Sequence, residues 1–107
     1  MAEEKKKTQS EAQLQEKLLK TRSVLLSGEI NKESADEVIR QLLVLEGESN
    51  EPIRLYINSP GGDVDAGYAI FDMVRFINAP VTMIGMGLVA SAAVLVLLAV
   101  PSERRIA

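Results

Sequence analysis

The residues of this chain whose types and spacing suit chemistry are Ser91 and the run Asn58-Ser59-Pro60-Gly61-Gly62. Each belongs to a loop that follows a short apolar, β-rich run and precedes a helical pattern. Ser91 lies in Gly87-Leu88-Val89-Ala90-Ser91-Ala92, at the expected first turn of a helix. Unpaired N–H groups and the helix dipole favour negative charge there. Gly61 and Gly62 offer backbone that another segment can approach closely. A hydroxyl facing backbone donors is half of an acyl-transfer site. Each feature also has a plainer reading: Pro60-Gly61-Gly62 as a turn, and Ser91 as a helix N-cap. Their pairing at one edge of a sheet is what points to chemistry. The other half of such a site, a base, is missing. The 107 residues contain no histidine, and every lysine lies at or before Lys32, away from Ser91 in sequence.

The elements that must position these loops follow from periodicity. Residues 1–9 read as a charged, mobile tail, with Lys5-Lys6-Lys7 a solvated run. Ser10-Glu11-Ala12-Gln13 fits a capping box for a short helix carrying Ala12, Leu14, Leu18 and Leu19. Its narrow apolar face predicts docking on something else. Ser23 to Ser27 reads as a buried strand. Asn31 or Ser34 caps the next helix, on which Ala35, Val38, Ile39, Leu42 and Leu43 share a stripe. Leu45 falls slightly off that stripe, and Gly47 is the expected C-cap. Ile53–Ile57 reads as a strand, and Asp63 or Asp65 starts the following helix. That helix presents Ala66, Ala69, Ile70, Met73, Val74 and Ile77, and Asn78-Ala79-Pro80 stops it. Residues 81–86 form a third strand. Residues 91–100 form a third helix, apolar nearly all round and so expected to be buried. Arg105-Ile106-Ala107 opens a further strand. Strands alternating with helices imply an α/β fold of repeated βαβ units with a parallel sheet and right-handed crossovers. The repeat breaks off where another strand is due, so a truncated domain is expected.

Composition narrows the functions. At 107 residues the chain is one domain or less. A net charge of −3 gives no reason to expect nucleic-acid binding. The absence of cysteine excludes disulfides and fits a reducing cytoplasm. With histidine also absent, no metal site is expected, and no cofactor is implied. Met1-Ala2-Glu3-Glu4-Lys5-Lys6-Lys7 is followed by no apolar stretch of the signal-peptide kind. Residues 83–100 are eighteen without a formal charge, the lower edge of a membrane span. Gly85 and Gly87 favour a strand, a loop and a helix there instead, so no membrane insertion is expected.

Leu55-Tyr56-Ile57-Asn58-Ser59-Pro60-Gly61-Gly62, then Ala66-Gly67 and Ala69-Ile70, then Met86-Gly87-Leu88-Val89-Ala90-Ser91, resemble the proteolytic subunit of the Clp protease. Leu25-Leu26-Ser27-Gly28-Glu29-Ile30 and Gln41-Leu42-Leu43-Val44-Leu45-Glu46 are similar to that family too. The match runs from about Leu14 to Ala107, so residues 10–107 read as the N-terminal part of a Clp-type peptidase domain. The resemblance implies the spiral fold shared with the crotonases and serine endopeptidase activity on unfolded proteins. It implies Ser91 as nucleophile, Gly62 and Ala92 as backbone donors of an oxyanion hole, and Asn58, Ser59, Pro60 and Gly61 as shaping the first loop. It further implies two stacked heptameric rings fed by an ATP-driven AAA+ unfoldase, with the tail near the axial pore.

The departures are specific. The family usually has methionine and then glycine after the nucleophile, where this chain has Ala92 and Ala93. Asp63 and Asp65 add negative charge beside the oxyanion position, unfavourable if they point inward. The family's catalytic histidine and aspartate fall downstream of Ala107, so the chain alone is expected to be inactive. Two other readings stand beside this one: a non-catalytic structural subunit of a mixed ring, and a crotonase-like acyl-CoA binder.

Overall fold

A computed structural model describes residues 12–107. Helix α1 covers residues 12–20. It is followed by β1 (Ser23–Ser27), α2 (Lys32–Glu48), β2 (Ile53–Ser59), α3 (Val64–Phe76), β3 (Val81–Val89), α4 (Ala92–Leu97), a 3-10 turn (Ser102–Arg104) and β4 (Arg105–Ile106). The four strands lie in the order β1-β2-β3-β4, every neighbouring pair parallel. Each crossover steps the same way across the sheet, so right-handed connections set α2, α3 and α4 on one face.

The alternation of β2 shows which face that is. Ile53, Leu55, Ile57 and Ser59 are buried, whereas Arg54 and Asn58 are exposed and Tyr56 is half-buried. Val24 and Leu26 of β1 and Val81 and Met83 of β3 join them in the core. Ala35, Val38, Leu42 and Leu45 of α2, spaced at three and four residues, close over this face with Ile70 and Val74 of α3. Leu45 is thus the core residue, while Leu43, expected on the stripe, is 48% exposed.

Arg22, rather than a glycine, ends α2. The helix runs through Gly47 to a C-cap at Ser49. The Arg22 guanidinium donates to the carbonyls of Leu45, Ser49 and Glu51 at 3.1, 3.1 and 2.8 Å, tying the last turn of the helix to the chain that leaves it. At the other end Asn31 and Ser34 form a reciprocal capping box. Both residues expected as caps therefore act together. The capping box expected at Ser10 and the tail at 1–9 lie outside the described residues. Leu14 and Leu18 of α1 are exposed, and Leu19 packs against the core.

Two boundaries move next to the candidate site. β3 continues past Met86 to Val89, because β2 and β3 slip register between Ile57↔Gly85 and Ser59↔Val89. Gly87 sits in that bulge with φ +66°, and a Cβ on it would lie 2.8 Å from Asn58 Oδ1. The glycines mark a bulge inside a longer strand, not the end of a shorter one. Helix α4 is six residues, shorter than the expected 91–100. Pro101 has no N–H to continue it, and Arg105 Nε donates to Leu97 O and Val100 O at 3.2 and 3.0 Å. Only one side of α4 is covered: Ala92, Ala93 and Val96 are buried, while Val94 and Leu98 are 41% and 52% exposed. The expectation of burial all round is corrected, since no described element lies over that side. The uncharged stretch at 83–100 is split between β3 and α4, and no described helix is long and apolar enough to cross a membrane.

Candidate active site

β2 and β3 are adjacent and parallel, so the loops leaving their carboxyl ends open side by side. The Ala90 N–H donates to Ser59 O at 3.1 Å, carrying the sheet ladder up to the turn before Ser91. Ser91 then takes φ +54° and ψ −124°. A positive φ is uncommon for a residue with a Cβ, and such strain tends to collect at functional sites. Ser91 occupies the N-cap position of α4, but its side chain makes no capping bond. The plainer reading of Ser91 as a cap is therefore lost. Its side chain is exposed and its hydroxyl bonds no described residue.

Gly61 and Gly62 pass between this turn and the β1–α2 connection. The Ile30 N–H donates to Gly61 O at 2.8 Å, and the Asp63 N–H donates to Ile30 O at 2.8 Å. This isolated parallel bridge, Ile30↔Gly62, holds the loop from below. Gly61 has φ +101°, and a Cβ on it would stand 2.7 Å from Ser91 Cβ, 2.8 Å from Ala90 O and 3.0 Å from Ala92 N. Gly62 has φ +144°, and a Cβ there would collide with the Ile30 carbonyl. Both glycines are thus required by close approach as well as by conformation. Gly61 is buried, whereas Gly62 is exposed and no described acceptor takes its N–H. Ala92 opens α4, so its N–H likewise has no intrahelical partner. The structure therefore brings Ser91, Gly61, Gly62 and Ala92 into one small region.

The remaining loop residues support it. Asn58 Oδ1 accepts from the Leu88 N–H at 3.1 Å and so fixes the bulge of β3. Pro60 is exposed and carries no N–H. Asp63 turns its carboxylate to the start of α3, where Oδ1 accepts from the Asp65 N–H at 2.9 Å. Ala92 lies against Gly67, whose added Cβ would be 3.3 Å from Ala92 Cβ. A groove of about 320 Å³, lined by Lys32, Asp36, Asp63, Asp65 and Ala66, runs beside the glycine loop. A cavity of about 540 Å³ at the other end of the sheet, by Val81, Arg75 and Arg104, touches none of these groups. The sequence reading gave Ser59 only a loop-shaping role. Its side chain is fully buried beneath the loop. Strict alternation from Ile53 carries it inward, and that was the available signal. No described side chain is placed to take a proton from Ser91, and no described group of acidic residues could hold a metal ion.

The Clp protease family model matches residues 5–107. The chain is 59% identical over 104 residues to the ATP-dependent Clp protease proteolytic subunit 2 of Treponema denticola, covering 96% of this chain and 52% of that protein. It is 62% identical over 91 residues to the subunit of the same name from Treponema pallidum, covering 84% and 46%. ClpP1 from Listeria monocytogenes superposes with a TM-score of 0.81 at 50% identity, over 85% of this chain and 54% of that one. The ClpP protease catalytic domain from Plasmodium falciparum gives 0.79 at 42% identity, over 82% and 51%. The chain spans about half the length of the curated relatives it matches. On the family match, the relatives and the shared parallel sheet together, this chain belongs to the Clp protease family.

Proposed function

We propose that this chain is the nucleophile-bearing portion of a serine endopeptidase subunit that cleaves unfolded polypeptides within an ATP-dependent Clp assembly. The observation that carries the reading is Ser91: a non-glycine residue at φ +54° with a hydroxyl released from capping, packed beside a glycine loop. In the proposed reaction Ser91 Oγ attacks a peptide carbonyl carbon, and the Gly62 and Ala92 N–H groups receive the developing oxyanion. A serine hydroxyl is a weak nucleophile at neutral pH, so a base must take its proton and return it to the leaving amine. In this proposal a histidine and a carboxylate supplied from beyond residue 107 do so. Water then releases the acyl group. The proposal includes stacked heptameric rings, an AAA+ unfoldase as the partner that delivers substrate, and a cytoplasmic location.

A non-catalytic subunit of a mixed ring is the second reading, favoured by the absence of histidine from all 107 residues. The test is peptide hydrolysis by the complete subunit, with residues 1–107 continued by their own downstream sequence. A fluorogenic peptide is cleaved by the wild type, and Ser91→Ala lowers the rate by at least about a thousandfold with assembly unchanged. An inactive, correctly assembled wild type overturns the catalytic reading and leaves the structural one.

A further inference from the structure

Ser59 stands between the two loops of the site and touches both. Its side chain is 0% exposed. Its Oγ accepts from the Gly61 N–H at 3.1 Å, and its carbonyl accepts from the Ala90 N–H at 3.1 Å. It is also the β2 residue paired with Val89 where the ladder resumes after the bulge. One residue thus bonds the glycine loop through its side chain and the Ser91 turn through its backbone. The peptide plane before the Gly61 Cα is held through its N–H by Ser59 Oγ, and the plane after it, which carries the Gly62 N–H, is held through Gly61 O by the Ile30 N–H. Gly61 lacks the Cβ that would restrict its φ and ψ, so the Ser59 and Ile30 bonds are both needed to fix the Gly62 amide.

We infer that Ser59 is a positioning residue for acyl transfer: its buried hydroxyl orients the glycine loop so that the Gly62 N–H faces the oxyanion formed at Ser91. The inference rests on the proposed reaction. A donor stabilises a transition state only when held in place before charge develops, and small displacements are costly. Ser59→Ala removes the acceptor while keeping the backbone bond to Ala90. The Gly61 N–H then has no buried partner and the glycine loop gains freedom.

The test uses the complete subunit and compares wild type, Ser59→Ala, Ser59→Thr and Ser59→Cys. The expected result for Ser59→Ala is a kcat, per site titrated with a fluorophosphonate, lowered by roughly 10- to 100-fold. KM stays within about twofold, since the inferred contact acts on the transition state. A peptide boronate, which forms a tetrahedral adduct on serine, loses affinity by a similar factor. Ser59→Thr, which keeps the hydroxyl, recovers most of kcat. Amide exchange at Gly61 accelerates in Ser59→Ala, a readout that needs no catalysis. If Ser59→Ala does not fold, Ser59→Cys replaces it, with a sulfur that is a weaker acceptor and a smaller loss of the same kind. An active wild type alongside a Ser59→Ala variant of unchanged kcat per titrated site overturns the inference and spares the proposed reaction. An inactive wild type overturns the proposed reaction, and unchanged Gly61 exchange in Ser59→Ala then overturns the positioning of the loop as well.

Discussion

Ser91 holds a backbone conformation that glycine would adopt without strain, at φ +54° and ψ −124°. Such conformations cost on the order of 1–3 kcal/mol for residues with a Cβ. Retaining serine there costs stability, a pattern expected where a side chain is needed in that place. Ser91→Gly therefore raises the stability of the folded chain by about 1 kcal/mol, after the greater freedom of glycine in the unfolded state is subtracted. Denaturant unfolding of the two proteins checks this, and in the complete subunit the same change removes peptidase activity. An unchanged or lower midpoint would show that the surrounding turn relaxes the strain. At this scale the sequence was informative about residue types. A serine before an apolar helix and a Pro-Gly-Gly loop were readable as candidate chemistry. The positive φ of Ser91 was not, because it depends on how β3 enters α4, and single-residue conformation leaves no periodic signal. Nor was the positive φ of Arg22, whose side chain ties the end of α2 to the start of β2.

Glu46 shows how one side chain orders the connection between elements. Its carboxylate, near the end of α2, accepts from the Asn78 N–H at 3.0 Å and the Ala79 N–H at 3.1 Å, where α3 turns into β3. Those backbone donors, the Asn78 N–H first, hold its pKa below the ordinary carboxylate value. A depressed folded-state pKa contributes stability that is present above the unfolded-state pKa and fades as pH falls through the folded one. Glu46→Gln is therefore less stable than wild type at neutral pH, and the difference closes as pH falls below the usual carboxylate range. Urea midpoints measured from pH 7 down to pH 3 test this; a constant difference would show that the carboxylate charge plays no part. Element types and order were legible because hydrophobic period distinguishes β2 from α2 and α3. The ends were less so. Gly47 was the natural stop for α2 by local rule, and Arg22, more than twenty residues earlier, overrode it. Gly87 suggested the end of β3, and Asn58 on the neighbouring strand kept that strand going through a bulge. In each case a partner distant in sequence decided the boundary.

At the scale of the molecule, the described elements cover the sheet on one face. The other face carries an in-register row of Leu25, Tyr56, Ile84 and Ile106. Leu25 and Ile106 are 44% and 56% exposed, and β4 is an edge of two residues. Apolar rows beside an open edge favour association. The 107-residue chain is expected to sediment as a concentration-dependent mixture of oligomers, and a single stable monomer across a hundredfold range of concentration would contradict this. The parallel α/β architecture was readable from the alternation of strand and helix. The uncovered side of α4 was not. An apolar helix reads as buried from sequence, and no described element lies over Val94 and Leu98.

Under the proposed reaction Ser91 is a nucleophile activated only by groups outside these 107 residues. Fluorophosphonate labelling followed by peptide mapping tests it most directly, run in parallel on the 107-residue chain and on the complete subunit. A single phosphonyl adduct on Ser91 is expected in the complete subunit, formed orders of magnitude faster than in the chain alone. Rapid labelling of the isolated chain, or an adduct on any residue other than Ser91 in the complete subunit, would contradict it.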